Sequence, residues 1–368
     1  MKILTILGTR PEIIRLSLII RKLDRYCQHV LVHTGQNFAA SLNDIFFSEL
    51  NVRKPDYCLG VRGETFGEQI GKLFIEVEKV LIAERPDRVL VLGDTNSGLA
   101  AVVATRMGIP VFHMEAGNRC YDNRVPEEVN RRIIDHSSSV LMPYTRRSAE
   151  NLVREGIERR RIYVTGNPIH EVLDANKQKI ARSDVLAKLG LTAKQYFAVT
   201  MHRAENVDIE GRLRNLLEGL RLICQEYSRP VVCSLHPRTR NKLQHFGFGT
   251  PSDAGIRFVE PLGFTDFVAL EQNATCVLTD SGTVQEECCI FRVPNVTIRD
   301  VTERPETIEA GANMLTGMDP MLIAASVRTV LQEPADWKPP AGYVDANVSS
   351  KVVKIALGYD WREDHRSC

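Results

Sequence analysis

Short apolar runs alternate with longer amphipathic stretches along the chain, and this alternation predicts the fold. In the first half, runs rich in β-branched residues predict six strands, at residues 2–8, 29–35, 88–94, 110–117, 138–143 and 161–167. Apolar positions near helical spacing predict helices between them, at 11–23 and 63–84. Strands that are apolar throughout and separated by helices are typical of a parallel sheet covered on both faces.

The same pattern starts again in the second half, after a polar spacer rich in Lys and Ala. The spacer is residues 174–195, and the later strands are expected at 196–202, 229–235, 256–262, 276–282 and 294–300. The sequence therefore predicts an α/β protein with two Rossmann-like doubly wound domains, at residues 1–170 and 171–343. Residues 344–368 are expected to form a closing helix that packs back on the first domain.

Composition narrows the class of protein and of partner. The 368 residues are 43% hydrophobic and 25% charged, with a formal net charge of +1. Such a balance gives no reason to expect nucleic acid or a membrane surface as partner. The nine cysteines include no CxxC pair, and HExxH is absent, so we expect reduced thiols in a cytoplasmic protein and no bound metal.

Polar side chains collect where the predicted strands end. In such folds, ligands bind at the carboxyl ends of the strands, and a cleft between two domains is a natural site. We therefore expect the active site in the interdomain cleft. The strand-end motifs are GTRPE (8–12), HTGQN (33–37), GDTNS (93–97), MEAGNR (114–119), TGNP (165–168), MHRAEN (201–206), LHPR (235–238), TDSGTVQEE (279–287) and RDVTERPE (299–306).

Four residues are candidates for proton transfer: Asp94, Glu115 and His202, which follow predicted strands, and Glu127, which lies in the first turn of a helix. A single carboxylate after a strand is often only a cap, but two on neighbouring strands are more often functional. His202, with Arg203 and Glu205 close in the sequence, suits proton transfer, although a structural histidine is an alternative.

Other strand ends suit a diphosphate. Arg10 opens a helix in GTRPE, and Ser281 with Gly282 repeats the strand–turn–helix arrangement in the second domain. His236 and Arg304 add polar and cationic groups, while a carboxylate such as Glu287 can accept hydrogen bonds from ribose hydroxyls. An ordinary capped helix is an equally good account of GTRPE alone. Neither GxGxxG nor GxxxxGK occurs, which argues against a nicotinamide site and a P-loop.

Together these motifs resemble the non-hydrolysing UDP-N-acetylglucosamine 2-epimerase family. GTRPE, GDTNS, MEAGNR, VPEEVNR, VTGNP, MHRAEN, TDSGTVQEE and TERPE match it in order and spacing, from about residue 3 to residue 318. The resemblance implies a glycosyltransferase-B-like fold and C2 inversion of a UDP-N-acetylhexosamine by elimination and re-addition of UDP, without metal or cofactor. It also implies a homodimer.

The resemblance also assigns roles by motif. Asp94, Glu115, Glu127 and His202 match the catalytic positions. Arg131 is expected to reach the sugar, and Phe267 matches a residue beside the uracil. The other expected substrate-binding residues are Arg10, Arg15, His236, Ser281, Gly282, Glu287 and Arg304. Which carboxylate removes the C2 proton and which returns it stays open.

Three departures from the family pattern concern the substrate. Arg15 stands where a lysine is usual, HTGQN replaces Ala-Gln-His, and the loop between MEAG and PEE is short. These features are closer to a branch that forms UDP-N-acetyl-L-fucosamine, so that substrate is the alternative. A glycosyltransferase has less use for two paired carboxylates, and GTRPE is not the form found in hydrolysing relatives. A non-catalytic nucleotide-sugar sensor does not fit four intact catalytic positions.

Overall fold

A computed structural model describes residues 1–35, 40–248 and 255–358, and for 40–44 the backbone alone. Gln36 and Asn37 of the HTGQN motif lie outside the described residues. The chain forms two compact units: Met1–Asp174 with the described residues from Ala341, and Ala175–Pro340. In this part of the chain, no helix is long and apolar enough to cross a membrane.

The first unit is built on a six-stranded parallel sheet in the order β3-β2-β1-β4-β5-β6. Its strands are β1 Lys2–Leu7, β2 Gln28–His33, β3 Tyr57–Cys58, β4 Arg88–Leu92, β5 Val111–Met114 and β6 Val140–Met142. Its helices are α1 Arg10–Tyr26, α2 Ala40–Glu49, α3 Phe66–Glu84, α4 Ala100–Arg106, α5 Pro126–Ser137 and α6 Arg146–Arg154, and α7 Ile169–Ala181 carries the chain into the second unit. All five residues of β4 are buried, as expected for a central parallel strand.

The strand predicted at residues 161–167 was wrong. Arg159–Arg161 form a short 3-10 turn, and the segment meets the end of β6 through one bridge, from Ile162 to Leu141, and through the amides of Tyr163 and Thr165, which donate to the Leu141 and Pro143 carbonyls. Ile162 is buried but Val164, which would share its face in a strand, is 38% exposed, so the covered face of a continuing strand is interrupted. The sixth strand is instead β3, whose two residues are too short to show an apolar run.

The second unit repeats the architecture with a parallel sheet in the order β12-β11-β10-β7-β8-β9. Its strands are β7 Phe197–Thr200, β8 Val231–Ser234, β9 Ile256–Val259, β10 Cys276–Thr279, β11 Asn295–Thr297 and β12 Asn313–Leu315. Its helices are α8 Val185–Lys188, α9 Ala204–Val207, α10 Glu210–Tyr227, α11 Pro237–His245, α12 Phe264–Gln272, α13 Gly282–Phe291, α14 Pro305–Glu309 and α15 Pro320–Gln332. The two doubly wound sheets confirm the predicted α/β fold class.

Two parts of the second half differ from the prediction. The polar spacer at 174–195 is largely helical, in α7 and α8, because Lys and Ala favour helix. The edge strand β12 was not predicted, since its three residues read Asn-Met-Leu and only Asn313 is buried.

The final helix of the described chain, α16 Val348–Gly358, belongs to the first unit. It packs against α1, where Lys22 Nζ donates to Ser349 Oγ at 2.6 Å. The Arg88 guanidinium at the start of β4 donates to the carbonyl oxygen of Ala356. These contacts bring together residues that are more than 260 positions apart in the chain.

Candidate active site

In the first unit, two predicted carboxylates follow neighbouring central strands. Asp94 lies just beyond β4 and Glu115 directly after β5, and the Gly93 amide donates to the Met114 carbonyl at 3.0 Å. A Cβ on Gly93, whose φ is +76°, would lie 3.7 Å from Glu115 Oε2. The Glu115 carboxylate therefore lies against the turn that carries Asp94.

Glu115 has an unusual backbone conformation for a residue with a long side chain. Its φ is +65°, in the left-handed region that residues other than glycine rarely occupy. Its amide donates to the Met142 carbonyl at 3.1 Å, which fixes this conformation beside β6. Strained residues of this kind concentrate at functional sites, where the surrounding structure holds them.

Each of the two carboxylates is paired with a buried arginine. Glu115, 7% exposed, pairs with Arg15 of α1, and the Tyr144 hydroxyl donates to Glu115 Oε2 at 3.3 Å. The Nε and Nη2 atoms of Arg131 donate to Asp94 Oδ2 at 2.8 and 2.6 Å. A nearby cation favours the ionised form of a carboxyl group. Arg131, expected to reach the sugar, here contacts Asp94.

Glu127 and Arg10 complete the predicted residues of this unit. Glu127 is half-buried in the first turn of α5, one position before the fully buried Glu128. Arg10 is the first residue of α1, and burial lowers the pKa of its guanidinium. Their roles stay predictions.

A buried hydrogen-bond network beneath the turn at Gly93 and Asp94 was not predicted from the sequence. His113 Nε2 lies 2.8 Å from the Gly93 carbonyl oxygen, and His113 Nδ1 lies 2.8 Å from Asp135 Oδ1. Both ring nitrogens of His113 thus contact oxygen atoms of the protein. Arg119 Nη2 also donates to Asp135, at 2.7 Å. Burial opposes ionisation of Asp135, but its partners His113 and Arg119 lower its pKa.

Glu12 is another group whose environment the sequence does not reveal. Its Oε2 accepts hydrogen bonds from the amides of Gly8 and Thr9 at 3.0 and 2.7 Å, and Thr95 Oγ1 donates to its Oε1 at 3.1 Å. Burial raises the pKa of Glu12 to about 7, despite these hydrogen bonds. The Glu12 carboxyl, which titrates near neutrality, therefore contacts Thr95, the residue that follows Asp94.

The raised pKa of Glu12 makes the stability of the protein depend on pH. The folded state binds the Glu12 proton more tightly than the unfolded chain does. The resulting contribution to the free energy of unfolding is fully present below about pH 4.5 and is lost as pH rises through about 7. The loss amounts to at most about 3 kcal/mol. We expect Glu12→Gln to remove this pH dependence. The free energy of unfolding of the variant, minus that of wild type, should therefore increase from pH 5 to pH 8.

Urea unfolding at the two pH values measures this difference. Glu68→Gln is the matched control, because Glu68 follows Thr65 as Glu12 follows Thr9 but is exposed to solvent. Equal pH dependence of wild type and Glu12→Gln would show that Glu12 titrates normally.

In the second unit, the predicted residues lie beyond the carboxyl ends of β7, β8 and β10. His202 follows β7 and His236 follows β8, and their ring centroids are 5.3 Å apart. Asp280, fully buried after β10, accepts the backbone amides of His202 and Arg203, each at 2.8 Å. Asp280 Oδ1 lies 3.2 Å from His202 Nδ1, so the carboxylate faces this nitrogen of the ring. Asp280 was not among the predicted site residues.

Ser281 and Gly282 begin helix α13, as the strand–turn–helix pattern indicates. A Cβ on Gly282 would lie 2.6 Å from Glu303 Oε1 and 3.5 Å from Arg304 Cζ, so any larger residue would have to displace the Glu303 carboxylate. The buried Arg304 donates through Nε to Glu286 of α13. The TDSGTVQEE and TERPE motifs are therefore brought together around the start of this helix.

Glu287 and Phe267 lie in neighbouring helices of this unit. Glu287 is 3% exposed. The pKa of Glu271 is raised well above its usual value, mainly because Glu271 is buried and also because the Glu287 carboxylate is close. The protonated acid is thus the favoured form of Glu271, a group that the sequence did not predict. Phe267 is half-buried in the first turn of α12, and its role beside the uracil stays a prediction.

Two doubly wound sheets with ionisable side chains beyond their strand ends define an α/β enzyme of the glycosyltransferase-B-like class. WaaG, a glycosyltransferase involved in lipopolysaccharide biosynthesis, is similar to this chain with a TM-score of 0.59 at 12% identity. The likeness covers 97% of this chain and 100% of WaaG, and it shows the fold alone.

Sequence comparison then identifies the family. The family model described as UDP-N-acetylglucosamine 2-epimerase matches residues 21–357. The chain is 44% identical over 365 residues to UDP-N-acetylglucosamine 2-epimerase from Methanocaldococcus jannaschii, with 96% of this chain and 98% of the relative covered. This chain is an enzyme of the UDP-N-acetylglucosamine 2-epimerase family, as its motifs predicted.

Two further relatives bear on the ligand. The crystal structure of Methanocaldococcus jannaschii UDP-GlcNAc 2-epimerase in complex with UDP-GlcNAc and UDP has a TM-score of 0.92 and 43% identity, covering 97% of this chain and 99% of that one. UDP-2,3-diacetamido-2,3-dideoxy-D-glucuronate 2-epimerase from Pseudomonas aeruginosa is 39% identical, over 90% of this chain and 92% of its own. Members of the family thus differ in the sugar named as substrate.

Proposed function

We propose that the chain is a non-hydrolysing C2 epimerase that interconverts UDP-N-acetylglucosamine and UDP-N-acetylmannosamine. The observation that carries the proposal is the pair of arginine-bound carboxylates, Asp94 and Glu115, on adjacent strand ends. Relatives named for this activity, at up to 44% identity over nearly the whole chain, support it.

The chemistry of the substrate explains why such residues are needed. C2 of a nucleotide sugar has no neighbouring carbonyl, so its hydrogen cannot be removed as an enol proton. Elimination solves this problem: a carboxylate takes the C2 proton, C1 and C2 form a double bond, and the C1–O bond breaks with its electron pair leaving on UDP. Addition of the same UDP oxygen to C1 and of a proton to the opposite face of C2 completes the inversion.

Asp94, Glu115 and Glu127 are proposed to carry the two protons, since inversion needs proton transfer on both faces of C2. The arginine beside each of Asp94 and Glu115 favours the ionised carboxylate, which is the form that can accept a proton. Positioned acid–base groups of this kind contribute about 10²- to 10⁴-fold each.

The second unit is proposed to hold UDP. The amides that open α13 at Ser281 and Gly282 and the nearby Arg304 guanidinium suit a diphosphate, and hydrogen bonds to charged groups contribute about 1.5–3 kcal/mol each. Glu287 is proposed to bind the ribose hydroxyls. His202, oriented by Asp280, is proposed to assist departure of the diphosphate by donating to it from Nε2.

A second candidate substrate is a UDP-6-deoxy-L-hexosamine, in the reaction that forms UDP-N-acetyl-L-fucosamine. The short loop of residues 118–124 favours it, because this loop differs from the common family pattern and runs directly from Glu115 to α5. The names of the similar relatives favour UDP-N-acetylglucosamine instead.

Incubation with UDP-N-acetylglucosamine in D2O tests the proposal. We expect deuterium at C2 and formation of UDP-N-acetylmannosamine without added nicotinamide, both read by NMR. Free N-acetylmannosamine as the sole product would overturn the non-hydrolysing assignment. Exchange only with a UDP-6-deoxy-L-hexosamine would move the answer to the second candidate.

We also propose that the chain forms a homodimer. Exposed apolar side chains support this: Phe66, Ile75 and Ile82 lie on α3, and Val129 and Ile133 on α5. Light scattering over a range of protein concentrations gives the mass in solution.

The cytoplasmic location stays a prediction from the sequence.

A further inference from the structure

A fully buried carboxylate, that of Glu128, lies behind the Asp94 turn and is not used by the proposed chemistry. Glu128 Oε2 accepts the Cys120 amide at 3.0 Å and Arg131 Nη1 at 2.8 Å, while Oε1 accepts the Tyr121 amide at 3.1 Å. Burial opposes ionisation, but the Cys120 amide and the Arg131 guanidinium lower the pKa of Glu128. A buried charge is tolerated because donors surround it.

Arg131 connects this carboxylate to Asp94. Its guanidinium is planar, with one edge, Nε and Nη2, directed at Asp94 Oδ2 and the third nitrogen, Nη1, directed at Glu128. A contact that fixes Nη1 therefore fixes the plane that Nε and Nη2 present to Asp94. Asn130 Nδ2 holds the backbone of the same turn, with its hydrogen bond to the Asp94 carbonyl at 3.0 Å.

The loop of residues 118–124 connects to the other side of Glu128. Tyr121 has a φ of +56°, a conformation that is strained for a residue with a side chain. Its amide is held by Glu128 and its hydroxyl donates to Asn151 Oδ1 at 3.1 Å. Two loop amides, one carboxylate and one guanidinium thus form a continuous chain of hydrogen bonds to Asp94.

We propose that Glu128 is a positioning residue that sets the orientation of the Asp94 carboxylate through Arg131 and links that orientation to the conformation of the 118–124 loop. The inference rests on the proposed epimerase function. The loop would then affect substrate choice in two ways. A different loop conformation changes the space for the sugar, and it also changes the orientation of the Asp94 carboxylate.

Glu128→Gln tests the proposal with little change of shape. Whichever way the amide turns, its NH2 group faces an N–H donor, because each carboxylate oxygen accepts at least one. We expect kcat for C2 exchange to fall about 10- to 100-fold, since small misplacements of a catalytic group have effects of this size. The affinity for UDP should not change, and the kcat–pH profile should differ from wild type, because Asp94 loses both a neighbouring negative charge and the fixed orientation of Arg131.

Glu84→Gln is the matched control. Glu84 of α3 also pairs with a cation of the first unit, Lys2, with Oε2 to Nζ at 2.9 Å, and it accepts from the Tyr57 hydroxyl at 2.6 Å, but these partners lie in β1 and β3 and not in the 118–124 loop or the Glu128–Arg131–Asp94 chain. We expect wild-type kcat and pH profile from this variant. If Glu128→Gln lowers only the melting temperature and keeps the wild-type kcat per UDP-binding site and the wild-type profile, Glu128 merely braces the helix.

A double-mutant cycle with Arg131→Lys makes the test independent of folding. Lysine keeps the charge but cannot contact Glu128 and Asp94 with a planar fork. If the two residues act in series, the double variant is no slower than the slower single variant, whereas multiplied losses would contradict the proposal. Wild-type exchange is measured first, because its absence with every UDP-N-acetylhexosamine tried defeats the proposed function rather than the role of Glu128.

Discussion

Replacing Glu115 by glutamine is expected to lower kcat for C2 exchange about 10²- to 10⁴-fold, the range that a positioned acid–base group contributes. An amide cannot take or return the C2 proton. It keeps the size of the side chain and still offers an oxygen to Arg15 and to the Tyr144 hydroxyl. The left-handed backbone at this position is no harder for glutamine than for glutamate.

Deuterium incorporation at C2, measured at saturating UDP-sugar, gives the rate. UDP binding by calorimetry reports the fraction of folded protein. Glu171→Gln is a suitable control, because Glu171 is a carboxylate of the same unit that pairs with Ser349 of α16. A kcat within about threefold of wild type for Glu115→Gln would remove Glu115 from the proton carriers.

Asp280→Asn should have the second large effect, through His202. The asparagine oxygen can still accept the amides of His202 and Arg203, but its NH2 group then faces His202 Nδ1. An NH2 group cannot accept from Nδ1, so the variant disfavours the imidazolium, the form that donates to residue 280 from Nδ1 while Nε2 donates to the diphosphate. We expect kcat to fall about 100-fold or more, with a changed pH profile.

Asp319→Asn provides the comparison for this variant. Asp319 is an exposed aspartate of the same unit, and its carboxylate accepts the Leu322 amide at 2.8 Å at the start of α15. Its substitution should leave kcat unchanged. If Asp280→Asn alters stability but neither kcat nor its pH dependence, the aspartate supports the turn and not the ring of His202.

The long apolar runs made most of the fold predictable, and the short elements did not. Strands such as β4 are buried on both faces, so their sequence is continuously apolar and their position is clear. The two residues of β3 and the three of β12 are strands only because a neighbour offers hydrogen bonds. The segment at 161–167 has a strand-like sequence but only a single bridge to β6.

For the candidate site, the positions of the residues could be predicted from the motifs, but their contacts with residues distant in the sequence could not. The strand-end position of Asp94 and Glu115 follows from the sequence, because parallel strands end at one edge of the sheet. Their pairing with Arg131 and Arg15 does not, since 37 and 100 positions separate the partners. Glu12 reads as an ordinary capping residue, and only its complete burial shows that it titrates near neutrality.

The position of α16 has a consequence for the order in which the protein matures on the ribosome. This helix completes the first unit, yet it is synthesised after the whole of residues 175–340. Domains fold as units during synthesis, so the second unit can close while the first still exposes the face of α1 that α16 will cover. The first unit, although it begins the chain, therefore covers α1 fully only after the second unit has been synthesised.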